Sequence, residues 1–125
     1  MADLSTALSI ASSGMAAQSR RLRHVSENIA NADTPGYHRK LIQFSSDAED
    51  GVAVGRIRLD DRPLPDIFDP GHPLANADGY YQGSNVDLLT EIADAREAQR
   101  SYEANLKMFD QVRQMSSALM DLLKK

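Results

Sequence analysis

The chain has 125 residues, 42% of them hydrophobic, with 14 Lys+Arg against 18 Asp+Glu for a formal net charge of −4. One small domain fits that length; the absence of Cys and Trp excludes a disulfide framework and a thiolate metal site, and three Phe with four Tyr leave little bulky material for a dense core. The acidic balance excludes a non-specific nucleic-acid binder, which needs clustered positive charge to neutralise phosphates.

The first residues, Met1-Ala2-Asp3-Leu4-Ser5-Thr6, have neither the basic start nor the continuous apolar run of a cleaved secretory signal, and no stretch has the length to span a bilayer. From Leu4 the apolar spacing runs Leu4, Leu8, Ala11, Met15, Leu22, Val25 and Ile29, with Gln18 filling one position of a 4-3-4-3 pattern. That spacing predicts a helix from Leu4 to about Asn31, roughly 42 Å long at about 1.5 Å per residue, with a coiled-coil-like seam. The opposite face carries Ser9, Ser13, Arg20, Arg23 and Glu27, while Gly14 and its small neighbours allow a second helix to approach closely.

The helix then meets a stop. In Asn28-Ile29-Ala30-Asn31-Ala32-Asp33-Thr34-Pro35-Gly36-Tyr37 the asparagines can bond backbone groups, Pro35 fixes its own φ, and Gly36 can take the positive φ of a type II turn. Taken alone, these residues say only that a helix ends and the chain changes direction.

Between Tyr37 and Gln82 the prolines, glycines and β-branched clusters predict short strands and turns. Leu41, Ile42 and Phe44 make one strand; Val52 and Val54 share one parity and Ile57 and Leu59 the other, which predicts a bulge at Gly55; Tyr80-Tyr81 makes a last strand. Acids outnumber bases here while the flanks are nearly balanced, so this is the solvated part.

A second helical seam follows: Leu88, Ile92, Ala95, Gln99, Tyr102, Leu106 and Phe109, continued by Val112, Met115, Leu119 and Leu122. Ser84 or Asn85 is the expected N-cap, with Asp87 and Glu91 in the early turns favoured by the helix dipole. Two long seams flank a middle too small to cover both, so they pair with each other, with other subunits, or both. The fold class is therefore mainly α with a small β domain: 1–36 a helix and turn, 37–84 an outward β-rich segment, 85–125 a second helix.

Catalytic and metal chemistry find no motif. His24, His38 and His72 are scattered without a His-Glu-x-x-His pair, the Asn76-Ala77-Asp78-Gly79 stretch lacks the anchoring carboxylates of a calcium loop, and the acids at 60, 61, 66 and 69 lie in a polar loop. Arg20-Arg21-x-Arg23-His24 spreads over more than one helix face and reads as a solvated or ion-paired surface.

Residues Asn28 to Tyr37 also fit the pattern Asn-[Ile/Leu]-Ala-Asn-x-x-Thr-x-Gly-[Tyr/Phe], and with it the chain resembles the bacterial flagellar rod and hook family of axial proteins. Asp69-Pro-Gly-His-Pro-Leu-Ala-Asn-Ala-Asp-Gly-Tyr80, Asn85-Val-Asp-Leu88 and Ala98-Gln-Arg-Ser-Tyr-Glu-Ala-Asn-Leu106 carry the same resemblance, which covers most of the chain. It implies a structural protein and no enzyme, without cofactor or metal, exported through the flagellar type III apparatus without signal cleavage and polymerised in the periplasm into the proximal part of the drive shaft. It implies terminal helices forming an inner tube and a middle segment facing outward. Its partners would be copies of itself, other proximal and distal rod proteins, basal-body ring and rod-adaptor proteins and the export apparatus, with no nucleic acid and no small-molecule substrate. The seam residues named above become the expected assembly interface. Two rivals stand beside this reading: a coiled-coil adaptor or export chaperone that binds helices without polymerising, and a glycan-cleaving enzyme using Asp60 or Asp66.

Overall fold

The computed structural model describes residues 2–47 and 51–124. Helix α1 (Ala2–Ala30) leads through six short strands, β1 (Lys40–Leu41), β2 (Phe44–Asp47), β3 (Gly51–Val54), β4 (Arg58–Leu59), β5 (Asp66–Phe68) and β6 (Tyr80–Gln82), to helix α2 (Leu88–Leu123). The expected class, mainly α with a small β region, is the one observed. No helix among the described residues is long and apolar enough to cross a membrane.

The two helices lie antiparallel: Arg21 reaches Asp94 and Glu97, Asn28 reaches Glu91, and Gly14 faces Asn105. Small residues make this contact. Ala11, Gly14 and Ala17 on α1 and Ala98 on α2 are buried, together with Val25 and Val112. A Cβ added to Gly14 would sit 2.8 Å from the Asn105 amide nitrogen, so the absent side chain leaves the room in which the Asn105 side chain lies over α1.

The strands form three separate antiparallel pairs, β1 with β4, β2 with β3 and β5 with β6. This corrects two expectations. Leu41, Ile42 and Phe44 do not share a strand, because the chain changes partner between Leu41 and Phe44. Gly55 is not a bulge within one strand either: β3 ends at Val54, and Arg58–Leu59 pairs with β1 instead. Parity along a sequence cannot reveal such a switch, since pairing is a long-range choice. Strand β5, which the sequence reading left as polar loop, forms because Ile67 and Phe68 find Tyr81 and Tyr80 opposite them, and the Phe68 and Tyr80 rings lie 5.1 Å apart.

The N-cap of α2 is Asp87, not Ser84 or Asn85; its extended backbone and its Oδ1, which accepts from Leu89 N at 3.1 Å, satisfy a first-turn amide. Ser13, expected on the solvated face of α1, holds β3 against the helix: its hydroxyl donates to the Ile10 carbonyl at 2.7 Å and accepts from Val52 N at 3.0 Å. Gly51, at φ 88, makes that approach feasible.

Candidate functional site

The helix stop forms as its chemistry demands. Asn31 Nδ2 donates to the Glu27 carbonyl at 2.8 Å, a second bond to an oxygen that Asn31 N also reaches at 3.1 Å, and the Thr34 hydroxyl donates to Asn31 Oδ1 at 3.0 Å. Tyr37 N then donates to the Thr34 carbonyl at 3.3 Å, closing a turn with Pro35 second and Gly36, at φ 74, third, which is the type II pattern. Gly36 N faces the carbonyls of Gln82 and Gly83, so the turn is stitched to the approach of α2.

This reversal aims Tyr37 and the next residues at Asn28, which is 1% exposed and fully hydrogen-bonded. Its Oδ1 accepts from the Tyr37 hydroxyl and from Lys40 N, each at 2.8 Å, while its Nδ2 donates to the Lys40 carbonyl at 3.1 Å and to Glu91 Oε2 at 3.3 Å. Glu91 is 0% exposed and Arg39 Nε approaches its other oxygen at 2.6 Å. The same guanidinium reaches Asp94 at 3.1 Å and Asp60 at 3.6 Å. Asn85 completes the node: its side-chain oxygen accepts from Arg39 N at 2.7 Å, and its amide donates to the carbonyls of Asp60 and Arg62.

Burial opposes the charge on Arg39, but the Glu91 hydrogen bond and the nearby carboxylates outweigh it and raise its pKa above the ordinary value. Asp60 moves the other way, held below its ordinary value first by the side-chain hydrogen bond from Arg62 against the cost of burial. At the edge of the node Lys40 Nζ meets Glu27 Oε2 at 2.7 Å, lowering the carboxyl's pKa and raising the amine's. A general acid needs a raised carboxyl pKa and a free approach. Asp60 has neither, and Asp66 stands exposed in β5. The arrangement binds four chain segments together; it is a joint.

The seam residues divide sharply. On α1, Ala11 and Val25 are buried, Leu4, Leu8, Met15 and Leu22 are half-buried, and Ile29 is exposed. On α2 only Val112 is buried, Ala95 and Phe109 are half-buried, and Leu88, Ile92, Tyr102, Leu106, Met115, Leu119 and Leu122 are exposed. Of the turn residues Asn28 is buried, Asn31, Pro35 and Tyr37 half-buried, and Ala30, Thr34 and Gly36 exposed. The buried stripe of α2, through Glu91 and Ala98, is thus rotated away from its large apolar stripe. Sequence reasoning missed Arg39, Glu91, Asp94 and Asn85 as one cluster. A usable signal existed in the spacing of Ala11, Gly14 and Ala17, whose small-residue stripe continues around α1 to Val25 and Asn28.

The two helical ends that the node joins are also the two segments that family models match. Residues 8–38 match a family model described as flagella basal body rod protein, and residues 77–122 match one described as flagellar basal body rod FlgEFG protein C-terminal. The flagellar basal-body rod protein FlgC of Agrobacterium fabrum is 44% identical, the match covering 99% of this chain and 98% of that protein. The proteins of the same name from Salmonella typhimurium (37% identical, 85% of this chain and 87% of that one) and Bacillus subtilis (35%, 79% and 84%) are similar along most of their length too.

Proposed function

This chain belongs to the flagellar basal-body rod protein family and is a structural subunit of that rod, and we propose that it polymerises there through the apolar seams of its two helices. The observation that carries the proposal is a pair of apolar patches on α2, Leu88, Ile92, Tyr102 and Leu106 on one side and Met115, Leu119 and Leu122 about half a revolution away, large side chains left exposed by the chain's own partner helix. Soluble monomers rarely leave so many large apolar side chains clustered and uncovered. Neighbouring copies and other rod proteins would cover them, in a heterologous contact that repeats without closing. Residues 1–36 and 85–125 then form the inner tube and 37–84 faces outward, in the periplasm and in the proximal part of the shaft. Torque passes through many packed side chains and through the joint that ties the strands to the helices. Export through the type III apparatus without signal cleavage, and contact with ring and rod-adaptor proteins, belong to the same proposal. Family membership speaks against a non-polymerising adaptor.

The test is made within one helix. Leu106 is 42% exposed in the isolated subunit, so Leu106→Asp leaves the fold largely intact yet places a carboxylate in the assembled interface, whereas Asp110→Ser, one turn further along the same exposed face, only removes a charge and adds none. Full burial of a leucine is worth about 1.5–3 kcal/mol, so the uncovered part contributes about 1 kcal/mol per copy before the cost of desolvating the carboxylate. Both variants should be exported, Leu106→Asp should be missing from purified basal bodies, and only Asp110→Ser should swim. Equal incorporation of the two would sink the interface assignment.

A further inference from the structure

We propose that the β5–β6 hairpin of one copy docks on the start of α2 in the next, its acidic and aromatic side chains entering a groove of leucine, isoleucine and arginine. The inference rests on the reading that the subunit polymerises, and it names a further pair of faces through which copies meet. Residues 63–86 contain Asp66, Asp69 and Asp78 and neither Lys nor Arg. None of these three acids pairs with a cation among the described residues. Strand pairing sets Asp66 opposite Gln82 and Phe68 opposite Tyr80, so alternation puts all four on one face of the hairpin. That face is open: all four are exposed, Phe68 at 62%, and Leu74, which lines a groove with Asp66 and Tyr80, at 65%.

The opposite charge lies on α2. The acids in its first three turns face inward, Glu91 held by Arg39, Asp94 by Arg39 and Arg21, and Glu97 by Arg21. The bases face outward. Arg96, Arg100 and Lys107 fall with Leu89 within about 40° of one another, at about 100° per residue, and roughly opposite the buried line of Glu91 and Ala98. Leu89, Ile92, Ala93, Arg96, Glu97 and Arg100 line one groove, in which Leu89 is 76% exposed. Neither Arg96 nor Arg100 pairs with a carboxylate among the described residues, and Glu103, the next acid along, lies beyond the groove.

Each face is uncovered within its own chain, so they meet only between copies. Carboxylates on guanidinium groups, and aromatic rings over arginine and leucine, are contacts that join unlike faces. The levels also match. Only residues 83–87 separate β6 from α2, so hairpin and groove lie at the same end of the subunit, and copies set side by side bring one level with the other. The groove shares Ile92 with the apolar patch of Leu88 and Leu106, which makes it continuous with the surface already assigned to assembly. A contact between two different faces repeats from copy to copy without closing.

The chain has no cysteine, so engineered thiols report the contact without background. Cells lacking the natural copy would carry two tagged full-length forms, one with Gln82→Cys on the hairpin face and one with Ala93→Cys in the groove. Their purified basal bodies are treated with a short thiol-reactive crosslinker. Each form has one thiol, so a product bearing both tags joins two copies, and that product is expected. Adding Arg96→Glu and Arg100→Glu to the Ala93→Cys form should lower its yield about tenfold or more, since like charges then face each other. Adding Asp66→Arg and Asp78→Arg, both exposed, to the Gln82→Cys form should bring the yield back. The contact is overturned if both forms are in the basal body and no doubly tagged product appears, if charge reversal leaves the yield unchanged, or if the exchange fails to restore it. It is overturned too if Gln82→Cys joins a different protein, or joins an Ala16→Cys form whose thiol stands on α1 near Arg20 and Arg23. All of these outcomes leave polymerisation through the helices standing, whereas absence of the unmodified chain from basal bodies fails the rod reading itself and this contact with it.

Discussion

Replacing Arg39 with Met isolates the energetic role of the joint. The substitution leaves Asp60 with Arg62 and Asp94 with Arg21, so its cost falls on Glu91, which is 0% exposed and retains only the Asn28 amide at 3.3 Å. Removing one partner of a buried ion pair typically costs about 3–5 kcal/mol, because the remaining charge is neither hydrated nor paired. For a chain of this size about 4 °C of melting temperature accompanies each kcal/mol, so the midpoint should fall by about 12–20 °C. Arg39→Met combined with Glu91→Leu should recover part of that loss, ending about 1–3 kcal/mol below the parent, since the two apolar groups need no partners but the buried Asn28 amide loses its bond to Glu91. Urea unfolding followed by helical circular dichroism measures all four corners of the cycle. The reasoning fails if Arg39→Met alone costs less than about 1 kcal/mol, or if the double variant is as unstable as the sum of the singles.

Two further outcomes follow from the same geometry. Gly36→Val meets no atom within 4 Å of its new Cβ, so its penalty is the backbone strain of a β-branched residue at φ 74, about 1–3 kcal/mol; export should continue while incorporation into basal bodies and swimming fall, and normal swimming would contradict the role given to the turn. Asp60 is held below its ordinary 3.8, first by Arg62, and Glu27 below 4.5 by Lys40, so both contribute stability that is complete above those values and is lost as pH falls through their lower folded-state values. Lys40, raised above 10.5 by Glu27, contributes below 10.5 and loses its part only in stronger alkali. Urea titrations of the parent and of Asp60→Asn below pH 4 check this: the variant should show a shallower acid decline, and identical declines would refute it.

Much of the architecture was legible because it is local. Helix periodicity, the stop after Asn31 and the positive φ of Gly36 depend on residues within a few positions of one another, where backbone sterics and side-chain hydrogen bonds act without help from the rest of the chain. The motif from Asn28 to Tyr37 carried the family as well as the turn. The strand pairing was not legible, since β1 and β4 join residues 40–41 to 58–59 across an intervening pair and parity is blind to partners. Nor was the inward face of α2. An apolar stripe states that a surface prefers to be covered, but it does not say by what. Here the seat that Gly14 leaves for the Asn105 side chain and the pairing of Glu91 with Arg39 go with a small, polar stripe turned toward α1 and leucines turned away from it. Asn28, Arg39, Asp60 and the pair Asn85 and Glu91 come from four separate segments of the chain, and only folding makes them neighbours. Local physics thus sufficed for what each segment is, while the faces those segments present to one another depend on contacts between residues far apart in the chain, small side chains packed across α1 and α2 and buried charges that must find partners.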